Sequence, residues 1–265
     1  MGISFHEFSF LKYSKKKKEF TSLGILGRQQ NFLNNTLYKN FIFKKLTNLE
    51  YADKILIDQL NLKKLFTYDV SDQEKPSKIE NFNHIIENPE LFDAFYDGGS
   101  LQHTFNIPNV LQNICNHVKV GGTIIHVTSS NNLCGFGFYQ FSPEFFLNYY
   151  SEKNGFFNTE IFVANYDNHK EWFKLKEGLI SNININTSAR LICLVRTEKA
   201  HDSEVKDLFQ SQTFDNNRGT DIKTYKNKFF LKLYFKLLSI LDLLHNNLSL
   251  RLNKNLIKKD IDKLL

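Results

Sequence analysis

Cysteine, proline, methionine and tryptophan are scarce in this sequence, and long apolar runs are missing. Of its 265 residues, three are Cys, four Pro, one Met and one Trp. The cysteines (Cys115, Cys134 and Cys193) are odd in number and far apart, so they predict neither a disulfide framework nor a paired-cysteine metal site. We therefore expect no metal and a reducing compartment, the cytoplasm. No run of about 18 uncharged apolar residues occurs, so no membrane-spanning helix is expected.

The overall composition is that of a folded domain with a mild basic excess. Hydrophobic residues make up 42% of the chain and charged residues 23%, which excludes disorder throughout. The formal net charge is +6, and most of the excess lysines lie near the two ends. A nucleic-acid-binding surface needs basic residues interleaved with aromatics around a site, so we expect no nucleic-acid partner.

Charge and hydrophobic pattern divide the chain into four parts. Residues 1–18 end in four consecutive lysines and predict a basic, solvated N-terminal arm. Residues 19–199 alternate predicted strands and helices, and residues 200–224 form a polar linker. Residues 225–265 predict an amphipathic C-terminal helical extension.

The central part predicts an α/β sheet domain. Strands are predicted at residues 20–26, 64–68, 77–82, 92–96, 123–127, 159–164 and 189–196, and helices at residues 30–62 in two pieces, 107–118 and 142–152. Such alternation predicts a mostly parallel sheet with helices on both faces. Ligands of these sheets bind at the carboxyl ends of the strands, which is where functional residues are expected.

Two of these strand ends carry residues suited to a nucleoside ligand. Gly27 follows the first strand and allows a tight turn and a close backbone approach to a ligand. The GxGxxG and GxxxxGK[ST] spacings are absent, which disfavours dinucleotide and ATP sites and a nicotinamide oxidoreductase. Asp69 follows the second strand, where a carboxylate accepts hydrogen bonds from ribose hydroxyls or caps a turn.

A third strand end carries candidate catalytic residues. Asp97, Gly98 and Gly99 follow the strand at 92–96, and His103 comes shortly after. The paired glycines free the backbone for a ligand, and an imidazole accepts protons near neutral pH. The alternative for His103 is a packing or capping role.

Residues 131–143 form the least ordinary stretch of the sequence. They mix glycines, aromatics and amides between a strand and a helix, as in a substrate-binding loop. An aromatic plug over the sheet edge is the alternative. Ser142, Pro143 and Glu144 are typical of a helix N-terminus.

Three motifs together resemble the class I S-adenosylmethionine-dependent methyltransferases, and more closely a bacterial branch associated with surface-glycan and secondary-metabolite biosynthesis. They are Leu26-Gly27-Arg28-Gln29, the run from Asp97 to Asn106, and Gly137-Phe138-Tyr139-Gln140-Phe141-Ser142-Pro143-Glu144. Two positions depart from the pattern of that branch. Gln102 stands where it has Glu, and Cys134-Gly135-Phe136 stands where it has Asn-Gly-His.

The resemblance implies a Rossmann-like methyltransferase fold over residues 19–199, with a mostly parallel seven-stranded sheet, helices on both faces and a C-terminal helical extension. It implies S-adenosylmethionine as the cofactor and a small-molecule or glycan acceptor. The cofactor-binding residues would be Gly27, Arg28, Gln29, Asp69, Asn83, Asp97, Gly98 and Gly99. The substrate residues would be Tyr139, Gln140 and Phe141, and the catalytic residues His103 and Asp97.

Two alternatives stay open at this point. The departures from the pattern allow a degenerate methyltransferase fold that acts as a non-catalytic binding or assembly subunit. Residues 225–248 carry one narrow polar stripe on a wide apolar helix. Such a helix caps its own domain, pairs with its copy in a homodimer, or lies on an anionic membrane surface as a peripheral contact.

Overall fold

The computed structural model describes residues 2–33, 50–175, 188–202 and 256–265. In chain order its strands and helices are β1 (Gly2–Ile3), α1 (Phe5–Lys17), β2 (Ser22–Leu26), β3 (Gln30–Asn31), α2 (Asp53–Gln59), β4 (Lys64–Asp69), β5 (Lys78–Ile79), β6 (Phe92–Asp97), α3 (Ile107–Asn116), β7 (Val118–Asn131), α4 (Pro143–Tyr149), β8 (Phe156–Asn165), β9 (Glu171–Leu175), β10 (Leu191–Lys199), β11 (Leu256–Asp260) and α5 (Ile261–Leu264). Short 3₁₀ turns lie at Leu101–His103 and Glu152–Asn154.

Nine of these strands form one mixed sheet in the order β11-β9-β8-β10-β7-β6-β2-β4-β5. The four pairings from β7 to β5 are parallel, and the four from β11 to β7 are antiparallel. The expected seven-stranded, mostly parallel sheet is therefore not confirmed. The two strands that sequence reasoning missed, β9 and β11, lie together at one edge.

The parallel part is doubly wound around β2. The chain runs outward from β2 to β4 and β5, then returns to place β6 on the other side of β2, followed by β7. This reversal creates a crevice at the carboxyl ends of β2 and β6, which is where ligands of such sheets bind.

Helices cover both faces of the sheet, as predicted. One face packs against α3 and α4 through residues such as Ile114 and Phe146. The other face packs against α1 and α2 through residues such as Phe10 and Leu56. Along β6, Phe95 belongs to the first core and Tyr96 to the second, because successive strand residues point to opposite faces.

The N-terminal region is a packed helix, which corrects the expectation of a solvated arm over residues 1–18. Phe10 and Tyr13 of α1 are buried and pack edge-on against the single tryptophan, Trp172. The lysine run occupies the last turn of α1 and the residue after it, where the helix dipole favours cations, with Lys16 to Lys18 exposed. The apolar residues before the lysines, such as Phe10 and Tyr13, pack against the sheet and make this segment a docked helix.

Two further expectations are only partly met. The first piece of the helix predicted over residues 30–62 begins with β3, and residues 34–49 lie outside the described part, whereas the second piece is confirmed as α2. Nearly all of the linker and the helix predicted at 225–248 also lie outside it. The end of the chain is not a helical extension throughout: β11 pairs with β9, and Ile261 of α5 is fully buried.

The remaining strands and helices predicted between residues 64 and 196 are present, with ends shifted by a few residues. At α4 the Ser142 hydroxyl accepts a hydrogen bond from the Glu144 amide, as the capping pattern predicts. No helix within the described residues combines the length and the apolar character needed to cross a membrane.

Candidate functional site

Three adjacent strands bring the predicted cofactor residues to one edge of the sheet. In the parallel register Leu26 of β2 lies beside Tyr68 of β4 and Asp97 of β6. Gly27, Asp69 and Gly98, which follow these positions, therefore lie side by side at the crevice. The strand alternation in the sequence predicts this arrangement.

Gly98 is in a crowded position. A Cβ atom there would lie 2.7 Å from the Tyr96 hydroxyl and 2.8 Å from Gln29 Oε1. Both oxygens are buried, and neither has a hydrogen-bond partner among the described residues. Gly27 adopts a φ of +74°, which favours glycine, and its amide donates to the Tyr68 carbonyl at 2.7 Å. Glycine thus keeps the backbone close to two unsatisfied polar atoms.

Arg28 is committed to contacts within the protein. Its Nε and Nη2 donate to Asp53 Oδ2 at 2.8 and 2.7 Å, and its Nη1 donates to the Glu74 and Lys75 carbonyls at 2.9 and 2.8 Å. The guanidinium also stacks on Tyr51, 4.0 Å from the ring centroid. Arg28 therefore ties α2 to the segment after β4.

Gln29 is buried and turns back on its own loop. Its Nε2 donates to the Gly27 carbonyl at 2.8 Å, and its backbone carbonyl accepts from the Ala52 amide at 3.0 Å. The side chain thereby shapes the turn after β2 and aims its unsatisfied oxygen at Gly98.

Asp69 and Asn83 differ in how much hydrogen-bonding capacity they retain. Asp69 Oδ1 accepts from the Val70 amide at 2.8 Å, whereas Oδ2 has no partner among the described residues. Asn83 Oδ1 accepts from the Phe105 and Asn106 amides at 3.1 and 2.9 Å. Asn83 thus anchors the start of α3, and Asp69 keeps an acceptor at the strand end.

Asp97 is fully buried and belongs to a chain of polar groups beneath the site. Its Oδ1 accepts from the Leu101 amide at 2.9 Å, and its Oδ2 lies 2.9 Å from His126 Nδ1. His126 Nε2 lies 2.6 Å from the Tyr150 hydroxyl, and His126 and Tyr150 are also buried. Because both Asp97 oxygens are used inside the protein, Asp97 holds the segment 98–103 from below and does not line the cavity.

A cavity of about 280 Å³ opens beside Gly98, close to the lower limit of ligand pockets. Its wall includes three predicted site residues, which are Gly98, Gly99 and His103. The rest of the wall is formed by Gly2, Glu7, Phe32, Gln102, Val127, Thr128, Ser129, Leu133, Phe136, Tyr166 and Ile192. Thr128 and Ser129 directly follow the predicted strand at 123–127, so the expectation that ligands bind at the carboxyl ends of strands would have identified them. Glu7 has only a helix-capping signature in the sequence.

His103 is the exposed imidazole of this wall. Partial burial lowers the pKa of His103 below its ordinary value of 6.5. The ring is therefore neutral at pH 7 and has a nitrogen available to accept a proton.

Gln102 connects the cavity floor to residues 131–143. Its Oε1 accepts from Thr128 Oγ1 at 3.0 Å and from the Ser129 amide at 2.7 Å. Its backbone carbonyl accepts from the Phe138 amide at 2.8 Å. A carboxylate oxygen would make the same contacts, so Gln in place of Glu at this position keeps these hydrogen bonds.

The three predicted substrate residues shape the segment from which they come. The Tyr139 hydroxyl donates to the Phe105 carbonyl at 3.0 Å, and Gln140 Oε1 accepts from the Leu133 amide at 2.8 Å. Phe141 is buried in the core beneath α4. Within this segment Leu133 and Phe136 reach the cavity wall, and Tyr139, Gln140 and Phe141 do not.

Comparison with known proteins finds structural similarity only. No protein-family model matches the sequence, and no curated protein is significantly similar to it. Among solved structures, a Haloferax volcanii methyltransferase in complex with the Trm112 methyltransferase activator has a TM-score of 0.45 and 10% identity, over 74% of this chain and 91% of that one. N-methyltransferase NodS from Bradyrhizobium japonicum, in complex with S-adenosyl-L-homocysteine, has a TM-score of 0.41 and 10% identity, over 74% and 86%.

The O-methyltransferase of a trans-AT polyketide synthase multienzyme from Brevibacillus brevis, also in complex with S-adenosyl-L-homocysteine, has a TM-score of 0.43 and 11% identity, over 72% of both chains. Similarity at this level does not establish a shared activity.

Proposed function

We propose that this protein is an S-adenosylmethionine-dependent methyltransferase that acts on a small-molecule or glycan acceptor. One observation carries the proposal. Gly27, Asp69 and Gly98 lie at the ends of three adjacent parallel strands at the crevice of a doubly wound sheet, and a cavity whose wall includes Gly98 and His103 opens there. Gly27 and Gly98 belong to two of the sequence motifs that resemble the methyltransferases.

The residues at the crevice suit this cofactor. Gln29 Oε1 and the Tyr96 hydroxyl are buried polar atoms without partners, and both face the position that a side chain on Gly98 would fill. They match the polar amino-acid end of the cofactor. Asp69 retains an acceptor oxygen suited to ribose hydroxyls.

The chain's own groups would position the acceptor and remove its proton. S-adenosylmethionine, when bound, supplies a methyl group attached to a sulfonium sulfur, which is a good leaving group. An imidazole nitrogen of His103 would accept the proton of the acceptor hydroxyl or amine. The apolar wall residues would exclude water and hold the acceptor in one orientation, which is the main contribution that a protein makes to such a displacement.

A non-catalytic role remains the second candidate, and one feature favours it. Arg28, which lies in the first of the resembling motifs, directs its side chain to contacts within the protein. A degenerate fold that uses this region only for internal contacts would not need a cofactor. Cofactor binding therefore separates the two candidates.

The test is calorimetric titration with S-adenosylhomocysteine. We expect the wild type to bind and Asp69→Ala to bind about 5–150-fold more weakly, because a charge-assisted hydrogen bond contributes about 1–3 kcal/mol. Asp72→Ala removes an exposed carboxylate a few residues away and serves as the matched control, with unchanged affinity expected.

Two outcomes would count against the proposal. Absence of binding at millimolar ligand would contradict the methyltransferase function and favour the non-catalytic candidate. Equal affinity of Asp69→Ala and Asp72→Ala would remove Asp69 from the binding site.

A further inference from the structure

We propose that Glu7 binds the methyl acceptor, and that it selects acceptors with an amine or hydroxyl group over anionic ones. This inference rests on the proposed function, because it assigns the cavity to the acceptor. It makes the N-terminal helix part of the site, where the sequence predicts a solvated arm.

The N-terminal segment reaches the cavity through a short pairing of strands. Residues Gly2–Ile3 pair in parallel with Gln30–Asn31, and the Phe32 amide donates to the Ile3 carbonyl at 3.0 Å. This contact joins the start of the chain to the turn after β2. Glu7, in the first turn of α1, thereby becomes part of the cavity wall.

One oxygen of Glu7 is occupied and the other is available. Oε2 accepts from the Ser4 amide at 3.0 Å and from the Ser4 hydroxyl, which completes a capping box at the start of α1. Oε1 has no partner among the described residues, although the side chain is only 8% exposed and lines the cavity. A ligand in the cavity that donates to Oε1 gains a hydrogen bond that no described residue of the protein supplies.

The charges around the cavity determine which acceptors fit. Among the described residues of its wall there is no Lys or Arg, and the imidazole of His103 is neutral at pH 7. Burial raises the pKa of Glu7. An ammonium or hydroxyl group would satisfy Oε1, whereas a carboxylate or phosphate would find no Lys or Arg to pair with among these wall residues.

The remaining wall is mainly apolar. Phe32, Val127, Leu133, Phe136 and Ile192 surround the space next to Glu7 and His103. The expected acceptor therefore has a hydrogen-bond donor at one end and an apolar or ring portion that these side chains contact.

Three probes of matched shape test the inference: benzylamine, benzyl alcohol and benzoate. Each is titrated into the full-length protein and followed by NMR shift changes. We expect benzylamine and benzyl alcohol to bind at least about tenfold more tightly than benzoate. In Glu7→Gln the preference for benzylamine over benzoate should fall below about threefold.

The variants separate recognition from folding. Gln also completes a capping box at this position, so Glu7→Gln should keep the wild-type melting temperature or exceed it. Ser4→Ala weakens the cap but retains the carboxylate, and it should keep the preference for benzylamine. Glu19→Gln removes an exposed carboxylate that pairs with Lys15 after the end of α1, and it is the control for net charge.

Three results would overturn the inference: equal binding of benzoate and benzylamine to the wild type, no binding of any probe, or an unchanged preference in Glu7→Gln. S-adenosylhomocysteine binding in the same samples keeps the two proposals distinct. Cofactor binding without an amine preference refutes only the role of Glu7. An amine preference without cofactor binding refutes the methyltransferase function and leaves a selective cavity.

Discussion

The buried chain of hydrogen bonds from Asp97 through His126 to Tyr150 tests most directly which contacts hold the segment 98–103 in place. Asp97→Ala removes the acceptor of the Leu101 amide and the partner of His126 Nδ1 at once, in a place with no exposed surface. Each buried donor left without an acceptor costs about 1–3 kcal/mol, so the Leu101 amide and the His126 ring together cost about 2–6 kcal/mol. For a chain of this size that corresponds to a fall in melting temperature of about 4–24 °C.

Asp97→Asn is expected to cost much less, about 1 kcal/mol. The Asn oxygen can still accept from the Leu101 amide, and its NH₂ group can donate to His126 Nδ1. His126 then carries its proton on Nε2 and donates to the Tyr150 hydroxyl, 2.6 Å away. The chain of hydrogen bonds reverses its direction and stays complete.

Urea unfolding followed by the fluorescence of Trp172, the single tryptophan, measures both variants. Calorimetry with S-adenosylhomocysteine on the folded Asn variant then tests for direct contact. A loss of less than about 1 kcal/mol in Asp97→Ala would refute the structural role. An Asn variant that is stable but has lost cofactor binding would show that Asp97 contacts the ligand itself.

Two further predictions concern the segment over the site and the opposite edge of the sheet. Tyr139→Phe removes the hydrogen bond to the Phe105 carbonyl. Cofactor affinity should stay within about twofold of wild type in calorimetry, while methyl transfer slows; equal loss of both would make the segment purely structural. Burial opposes ionisation of Asp93, but Lys119 and the Thr21 amide more than offset it and lower its pKa. Asp93→Asn should therefore cost about 1–2 kcal/mol at pH 7, with the difference shrinking below about pH 5 as the unfolded chain takes up the proton; a pH-independent difference in urea midpoints would contradict this.

Local patterns in the sequence were sufficient to predict which residues lie at the strand ends that form the site. Alternating strands and helices placed Gly27, Asp69 and Gly98 at neighbouring strand ends, and the structure brings them together. The Ser142 cap followed from turn chemistry alone. These features depend on residues close in sequence, so periodicity and capping rules detect them.

Only the tertiary structure decided where the polar side chains of the site point. Asp97 pairs with His126, 29 residues away, and that ring meets Tyr150 a further 24 residues on. Arg28 is held by Asp53 and by carbonyls beyond β4. Pairings across such distances depend on how the helices and strands pack, and they have no local signature.

Packing between segments that are distant in sequence also explains why the sequence did not predict the docked N-terminal helix or the β9–β11 edge of the sheet. The lysine run predicts a solvated arm. The apolar residues before it instead remove their surface from water by packing against β8 and β9, through partners such as Trp172, and this stabilises the docked helix. Docking α1 in this way carries Glu7 to the cavity wall. The short strand β11 pairs with the edge that β9 presents, and this edge exists only once the sheet is assembled.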